Sequence, residues 1–220
     1  RKVDSKTFPA LLPEHLKALE QNYEIQLGRA ARVVGRSAQQ ILILPRDRFR
    51  YGYQLWADRD TGLLLKAELL DTRTQPIEQF MFTHLTVGGS IPDAAFEPES
   101  AAAGLVWHRA EMQNPAAEAA QVPRLQALEL PKGYRLSTHI VRQLPKRETP
   151  VDHLVYSDGL AMVSVFVERD DKAAGGSVGM STMGAVHAYS RRVDGHKVIV
   201  VGEVPAETVT LIGNAVAAAP

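Results

Sequence analysis

A short stretch around Asp58, Arg59 and Asp60 has the residue types that a catalytic pocket requires. Two carboxylates beside a guanidinium could supply general acid–base chemistry. The flanking residues favour another interpretation, because apolar side chains alternate on both sides, over residues 51–57 and 63–69. Asp, Thr and Gly are also turn formers. The pattern therefore predicts a hairpin tip between two strands rather than a catalytic carboxylate pair.

Other chemistry-bearing residues do not form a recognisable catalytic or metal-binding pattern. The seven histidines include neither an HExxH motif nor a close pair, so we expect no metal site. The glycine-rich residues 175–179 lack the Lys-Ser/Thr of a phosphate loop and are predicted to be a flexible loop. Ser181 lies in GMSTMG, which is not a GxSxG elbow. We expect a protein that is not an enzyme and has no cofactor.

Composition excludes several further classes of protein. The 220 residues contain 25 basic and 25 acidic side chains, and this zero net charge argues against nucleic acid as the main partner. The absence of cysteine excludes disulfides, thiol catalysis and cysteine-ligated zinc. No run of eighteen apolar residues occurs, so the sequence predicts no membrane-spanning helix.

Hydrophobic periodicity predicts an α+β protein with two β-rich modules. A helix over residues 13–21 is followed by an antiparallel meander, whose strand over residues 77–85 carries Phe80 and Phe82 on one face. Residues 101–122 are rich in Ala, Pro and Glu, which is typical of a linker. This places the modules at residues 1–100 and 123–220. The second contains a hairpin at Asp194 and Gly195 and ends in a helix over residues 205–219.

Two sets of side chains in the first module are candidates for binding a lipid. An alternating apolar sheet face suits an acyl chain, although plain core packing against a helix explains the same pattern. The candidates for such a lining are Tyr53, Leu55, Leu63, Leu65, Phe80 and Phe82. Arg46, Arg48 and Arg50 alternate with other residues, which predicts three positive charges on one strand edge. They could contact a phosphorylated headgroup, or simply form a solvated edge that discourages aggregation.

Four segments resemble the MucB/RseB family, the periplasmic negative regulators of an envelope-stress sigma factor. They keep the family's order and spacing over nearly all of the chain. Any single segment would be weak evidence for the family, but four segments in the family's order are strong evidence. The segments are RYGYQLWADRDTGLLLKAELLD at 50–71, LPKGYRLS at 130–137, LVYSDGLAMVSVFVE at 154–168, and the pair GAVHAYSRR and VIVVGEVPAET within 184–208.

The resemblance implies an open β-barrel like the carriers LolA and LolB, followed by a smaller α/β domain. Residues 1 to about 100 would then be the later part of the barrel, and we expect its first part to be missing. The family binds the periplasmic part of a membrane anti-sigma factor, shields it from proteolysis, and is released by lipopolysaccharide or related lipids. Candidates for the contact with the anti-sigma factor are Arg142, Tyr156, Asp158 and Leu160.

Two functions follow as hypotheses. The first is a periplasmic regulatory protein that binds an anti-sigma factor and responds to lipid. The alternative is a periplasmic carrier of lipids or lipoproteins, which would need only the first module. A hydrolase is a distant third because the sequence has no nucleophile motif. The sequence leaves open whether the protein forms a homo-oligomer.

Overall fold

The computed structural model describes residues 19–96, 123–142, 149–169 and 178–218. Residues 13–18 of the helix expected over 13–21, the linker expected over 101–122 and residues 175–177 of the loop expected over 175–179 lie outside these ranges. Within them the chain forms antiparallel sheets, as the sequence predicts, and no sheet closes into a barrel. None of the helices in this part of the chain is long and apolar enough to cross a membrane.

The first sheet is a five-stranded meander in which each strand pairs with the next, in the order β1-β2-β3-β4-β5. Turns connect the strands except between β2 and β3, which are joined by the loop over residues 46–51. Val34 and Gly35 both have positive φ in the first of these turns. This is the conformation that two-residue hairpins require. The strands are β1 (Tyr23–Val33), β2 (Arg36–Pro45), β3 (Gly52–Asp58), β4 (Leu64–Leu70) and β5 (Pro76–Met81).

The second sheet has six antiparallel strands in the order β10-β11-β12-β9-β8-β7. The predicted hairpin at Asp194 and Gly195 is confirmed, because both residues have positive φ between two paired strands. The strands are β7 (Arg135–Arg142), β8 (Val151–Ser157), β9 (Met162–Arg169), β10 (Gly179–Met183), β11 (Val186–Val193) and β12 (His196–Gly202).

One face of the second sheet is covered by the helix α1 (Ala206–Asn214) and by the two-stranded ladder of β6 (Leu125–Ala127) and β13 (Val216–Ala218). The predicted helix over residues 205–219 is therefore wrong beyond Asn214. Val216 has helical spacing in the sequence, but it pairs with Ala127 as part of a strand. Gly213 lets the helix approach Tyr189 closely, and Val209 and Ile212 complete the core.

On the opposite face of the second sheet, His153 stacks on Phe166 with 4.3 Å between the ring centroids. Its Nε2 atom lies 3.0 Å from the Ser164 hydroxyl, whereas Nδ1 is buried with no hydrogen-bond partner in the structure. Burial, together with the charge of Arg142, lowers the pKa of His153 from 6.5 to about 4. The imidazole is therefore neutral in the folded protein at neutral pH.

The histidine makes folding sensitive to acid. The unfolded chain takes up this proton near pH 6.5 and the folded chain only near pH 4, so stability declines as the pH falls through this window. We expect His153→Gln to reduce the decline, which denaturant unfolding at neutral pH and at about pH 5 measures. A variant that loses as much stability on acidification as the wild type would contradict this assignment.

Two glycines with positive φ provide a matched test of packing. Gly195 has φ 72° and open space around it, so Gly195→Ala costs only backbone strain of about 1–2 kcal/mol. Gly133 has φ 86°, and a Cβ there would overlap the side-chain amide of the buried Asn22. We expect Gly133→Ala to lower the free energy of unfolding by more than Gly195→Ala does. Equal losses would show that the contact with Asn22 is easily relieved.

Candidate functional site

The two large sheets meet at a buried junction formed by the loop between β2 and β3 and the turn between β8 and β9. Arg50 lies near the end of this loop and Asp158 begins the turn, and both side chains are completely buried. Nη1 of Arg50 donates to Oδ2 of Asp158 over 2.5 Å. Residues 108 positions apart in the chain thus form an ion pair that joins the first sheet to the second.

Arg50 also binds partners on both sides of the junction. Its Nε and Nη2 atoms donate to the two carboxylate oxygens of Asp47, over 3.0 and 2.9 Å, in a bidentate pair. Nη2 also donates to the backbone carbonyl of Lys132, over 2.6 Å. Such a planar, multiply bonded arrangement is what the guanidinium group allows and a lysine ammonium does not.

Asp158 is held by the backbone of its own turn. Its Oδ1 atom accepts hydrogen bonds from the amides of Leu160 and Ala161, over 2.9 and 2.7 Å. Gly159, between Asp158 and Leu160, has φ 100°, a conformation that favours glycine. The backbone of the turn therefore holds the carboxylate in the orientation that faces Arg50.

Two tyrosines enclose the ion pair. The guanidinium carbon of Arg50 lies 5.5 Å from the ring centroid of Tyr23 and 5.0 Å from that of Tyr134. The Tyr23 hydroxyl donates to Oδ2 of Asp158 over 2.9 Å. Burial and the nearby Asp158 carboxylate raise the pKa of both tyrosines, so both phenols stay protonated and can donate.

Contacts beside the ion pair widen the junction. The backbone carbonyl of Phe49 accepts hydrogen bonds from the hydroxyls of Tyr134, over 3.1 Å, and of Thr208, over 2.8 Å. Leu160 packs into an apolar cluster with Leu19, Tyr23, Ile43, Leu55 and Ala67, which lie in or before the first sheet. Further out, Ala185 packs against Tyr51 and Leu69.

This junction joins the sheets and has no arrangement suited to catalysis. Its charged groups are paired, and its phenols donate hydrogen bonds instead of acting as bases. Among the residues that the structure describes, no three His, Cys, Asp or Glu side chains come together as metal ligands. What the arrangement can do is fix the relative position of two surfaces.

The prediction that Arg46, Arg48 and Arg50 share one strand edge is wrong. These residues lie in the loop after β2, where successive side chains do not alternate as in a strand. Arg50 points into the junction, whereas Arg46 and Arg48 are exposed. Nε of Arg48 pairs with Glu207 of α1 over 2.6 Å, and Nε of Arg46 donates to the backbone carbonyl of Glu20.

The candidates for the anti-sigma contact do not form one surface. Tyr156, Asp158 and Leu160 are buried, with exposed fractions of 2%, 4% and 7%. The Tyr156 hydroxyl accepts a hydrogen bond from the amide of Ala127 within the second module. A peptide could reach Asp158 and Leu160 only by opening the junction, whereas Tyr156 lies in the core of the second module. Arg142 is exposed at the end of the edge strand β7, so its role stays a prediction.

The candidates for the lipid lining do not share one continuous face, because a β-bulge between Trp56 and Ala57 changes the pairing of β3 with β4. Their role in binding lipid stays a prediction. Tyr53 and Leu55 pack with the cluster that contains Leu160, whereas Leu63 and Leu65 pack with Val33, Ala38 and Trp56. Phe80 is half exposed on β5, and Phe82 lies just beyond the end of that strand.

The predicted hairpin tip is confirmed, since β3 ends at Asp58 and β4 begins at Leu64. Asp58 is buried and accepts hydrogen bonds from Arg36, over 2.7 and 2.9 Å, and from the Thr61 hydroxyl, over 2.6 Å. The hydrogen bonds from Arg36 make the largest contribution to lowering the pKa of Asp58, and the bond from Thr61 lowers it further. This carboxylate therefore stabilises the hairpin.

A chain of two antiparallel modules with such a junction has close structural relatives. "Crystal structure of MucB in complex with MucA(peri)" matches with a TM-score of 0.75 and 31% identity, over 94% of this chain and 71% of that one. "Crystal structure of MucB" matches with a TM-score of 0.65 and 30% identity, over 98% of this chain and 70% of that one. These matches define the class as a protein with the MucB fold.

Sequence comparison defines the family. Residues 1–100 match the MucB/RseB N-terminal domain, and residues 119–217 match the MucB/RseB C-terminal domain. The chain belongs to the MucB/RseB family. Relatives include the "Sigma factor AlgU regulatory protein MucB" of Pseudomonas aeruginosa, 38% identical over 84% of this chain and 58% of that protein. Another is the "Sigma-E factor regulatory protein RseB" of Salmonella typhimurium, 30% identical over 97% and 64%. The chain thus spans 58% to 64% of the length of these two relatives.

Removing one member of the buried pair should destabilise the protein strongly. We expect Arg50→Met to cost about 3–5 kcal/mol of unfolding free energy, because it leaves the Asp158 carboxylate buried without its cation. Arg48→Met breaks an exposed pair and should cost at most about 1 kcal/mol. Chemical denaturation of both variants measures the difference.

The double variant Arg50→Met/Asp158→Leu completes the test. Since it removes both charges, its loss of stability should be smaller than the sum of the losses of the two single variants. Additive losses would mean that the two side chains do not interact, in contradiction to the junction described.

Proposed function

We propose that this chain is a periplasmic regulatory protein that binds the periplasmic part of a membrane anti-sigma factor. Bound there, it shields the anti-sigma factor from regulated proteolysis, and lipopolysaccharide or another lipid releases it. Family membership supports the proposal, because the relatives are named as regulators of sigma factors. A structural neighbour is named as a complex of MucB with MucA(peri).

The observation that carries the mechanism is the buried junction between the sheets. Release by lipid requires that lipid and anti-sigma peptide each weaken the binding of the other by the same factor. If they occupy different modules, the coupling must pass through contacts that join the modules. The bonds of Arg50 to Asp47, Asp158 and the Lys132 carbonyl are such contacts.

The lipid side of the proposal rests on an apolar row across the first sheet. Residues from all five strands lie next to one another in this row: Leu27, Ile41, Leu55, Ala67 and Phe80. Its middle is buried, but its two ends, Leu27 and Phe80, are 78% and 49% exposed. We infer that a partly open, LolA-like barrel uses this face for acyl chains, since each methylene buried contributes about 0.8 kcal/mol.

A headgroup site beside this sheet is a narrower form of the earlier arginine hypothesis. The candidate site is a cavity of about 430 Å³ whose lining includes Arg46 and Arg48. A second cavity, of about 290 Å³, lies at the far end of the second sheet and contains neither arginine. Carboxylates of Glu24, Asp47 and Asp71 also line the cavity that contains the two arginines. A bound phosphate would have to approach from the arginine side, and the buried Arg50 would support the loop without touching it.

Calorimetric titration tests the regulatory proposal. The full-length protein is titrated with the periplasmic segment of its cognate anti-sigma factor, with and without a lipopolysaccharide fragment. We expect micromolar or tighter binding that saturating lipid weakens, because the two ligands favour different states. Unchanged peptide affinity at saturating lipid would contradict the release mechanism, and no binding by a folded sample would contradict the peptide partner.

The second candidate function is a periplasmic lipid or lipoprotein carrier. The exposed apolar ends of the row on the first sheet favour it. A carrier moves lipid between vesicles and does not need the second module, whereas a regulator needs both. Transfer of a fluorescent lipid between vesicles by the full-length protein separates the two, and absence of transfer removes the carrier function.

A further inference from the structure

The two large sheets present four edge strands, and three of them carry features that discourage pairing with another strand. A bulge separates Leu27 from Ala30 in β1, which also contains Arg29 and Arg32. β5 begins with Pro76 and contains Glu78. β7 has a charged residue at each end, Arg135 and Arg142, and a bulge between Leu136 and Thr138. Charges, prolines and bulges are the usual protection of sheet edges.

The fourth edge strand, β10, has none of these features. Its sequence, GMSTM, contains no charged residue and no proline. All five of its residues pair with β11 in continuous register, from Gly179 opposite Ser190 to Met183 opposite Val186. In the described part of the chain β10 has no strand on its other side. Met180 and Met183 are 44% and 78% exposed, and Val178, just before the strand, is 48% exposed.

The end of β10 approaches the edge of the first sheet. A Cβ atom at Gly184 would lie 3.7 Å from Oε1 of Glu78 in β5, and the next residue, Ala185, packs against the first sheet. Apolar side chains on β5 are also exposed: Ile77 by 40%, Phe80 by 49% and Met81 by 45%. The edge strand β10, which has no charge, proline or bulge, therefore lies close to the exposed apolar side chains of β5.

We propose that an extended, uncharged segment of the anti-sigma periplasmic part adds to β10 as a further strand and continues over the exposed side chains of β5. The inference rests on the proposed function and specifies the place and mode of binding. Strand addition provides affinity through backbone hydrogen bonds and selectivity through alternate side chains. An uncharged apolar segment matches an edge that carries methionines and no charge.

A second copy of this chain fits the same edge less well. Five residues extend only about 17 Å, so pairing of two β10 strands cannot by itself bury the roughly 1,200 Å² of a stable interface. A flexible peptide can bend from β10 to β5 and cover both, which is the way in which disordered segments gain contact area.

The test compares the same substitution at the two edges of the second sheet. Met180→Lys places a charge on β10, and Leu136→Lys places one on β7 at an apolar side chain of similar exposure, 39% against 44%. In the full chain, the dissociation constant for the fluorescently labelled anti-sigma periplasmic segment should rise by roughly tenfold or more for Met180→Lys. It should change by less than about twofold for Leu136→Lys.

Hydrogen exchange of the wild-type protein gives a second readout that requires no variant. Amides of residues 179–183 should gain protection on adding the segment, whereas those of β7 should not. If the wild type binds the segment but residues 179–183 gain no protection and Met180→Lys has no effect, the edge proposal is overturned. The proposed function is then left intact. Absence of wild-type binding overturns the proposed function itself. If Met180→Lys dissociates a dimer in ultracentrifugation without changing peptide affinity, the edge belongs to a second copy and the peptide proposal is wrong.

Discussion

The fold depends on one costly interaction, the completely buried ion pair of Arg50 and Asp158. Taking two charges out of water is unfavourable unless every remaining donor and acceptor finds a partner. Asp47, the Lys132 carbonyl and the Tyr23 hydroxyl supply most of these partners. These groups come from both modules. The two charges therefore have their full set of hydrogen-bond partners only when the two sheets are in one relative position. The pair thus selects a geometry more than it adds stability.

This selection gives the two modules a means of influencing each other. An apolar contact between sheets tolerates sliding, since it has no preferred direction. A guanidinium between two tyrosine rings, with fixed donors and acceptors, does not. The first sheet holds the apolar row and the second sheet holds the unprotected edge of β10. We infer that a change at one surface that strains the junction also affects the other surface.

Local features of this protein were predictable from sequence, and long-range pairings were not. The hairpins at residues 59–63 and at Asp194 follow from turn chemistry and alternation, which act within a few residues. The bulge at Ala57 breaks a regular two-residue period, so the lining predicted from that period combined two different clusters. The sequence suggests Arg50 and Asp158 as binding residues, but for separate ligands. Nothing in a single sequence connects positions 108 residues apart, and only the fold shows that they bind each other.

The central claim is that the buried pair fixes the relative position of the two sheets. The chain contains no cysteine, so single cysteines introduced at the exposed Arg59 and Arg192 give a unique pair of spin labels, one on each sheet. Pulsed electron paramagnetic resonance should then give one narrow distance distribution, which Asp158→Asn broadens or splits while both sheets remain folded by circular dichroism. An equally narrow, unshifted distribution in the variant would contradict the claim.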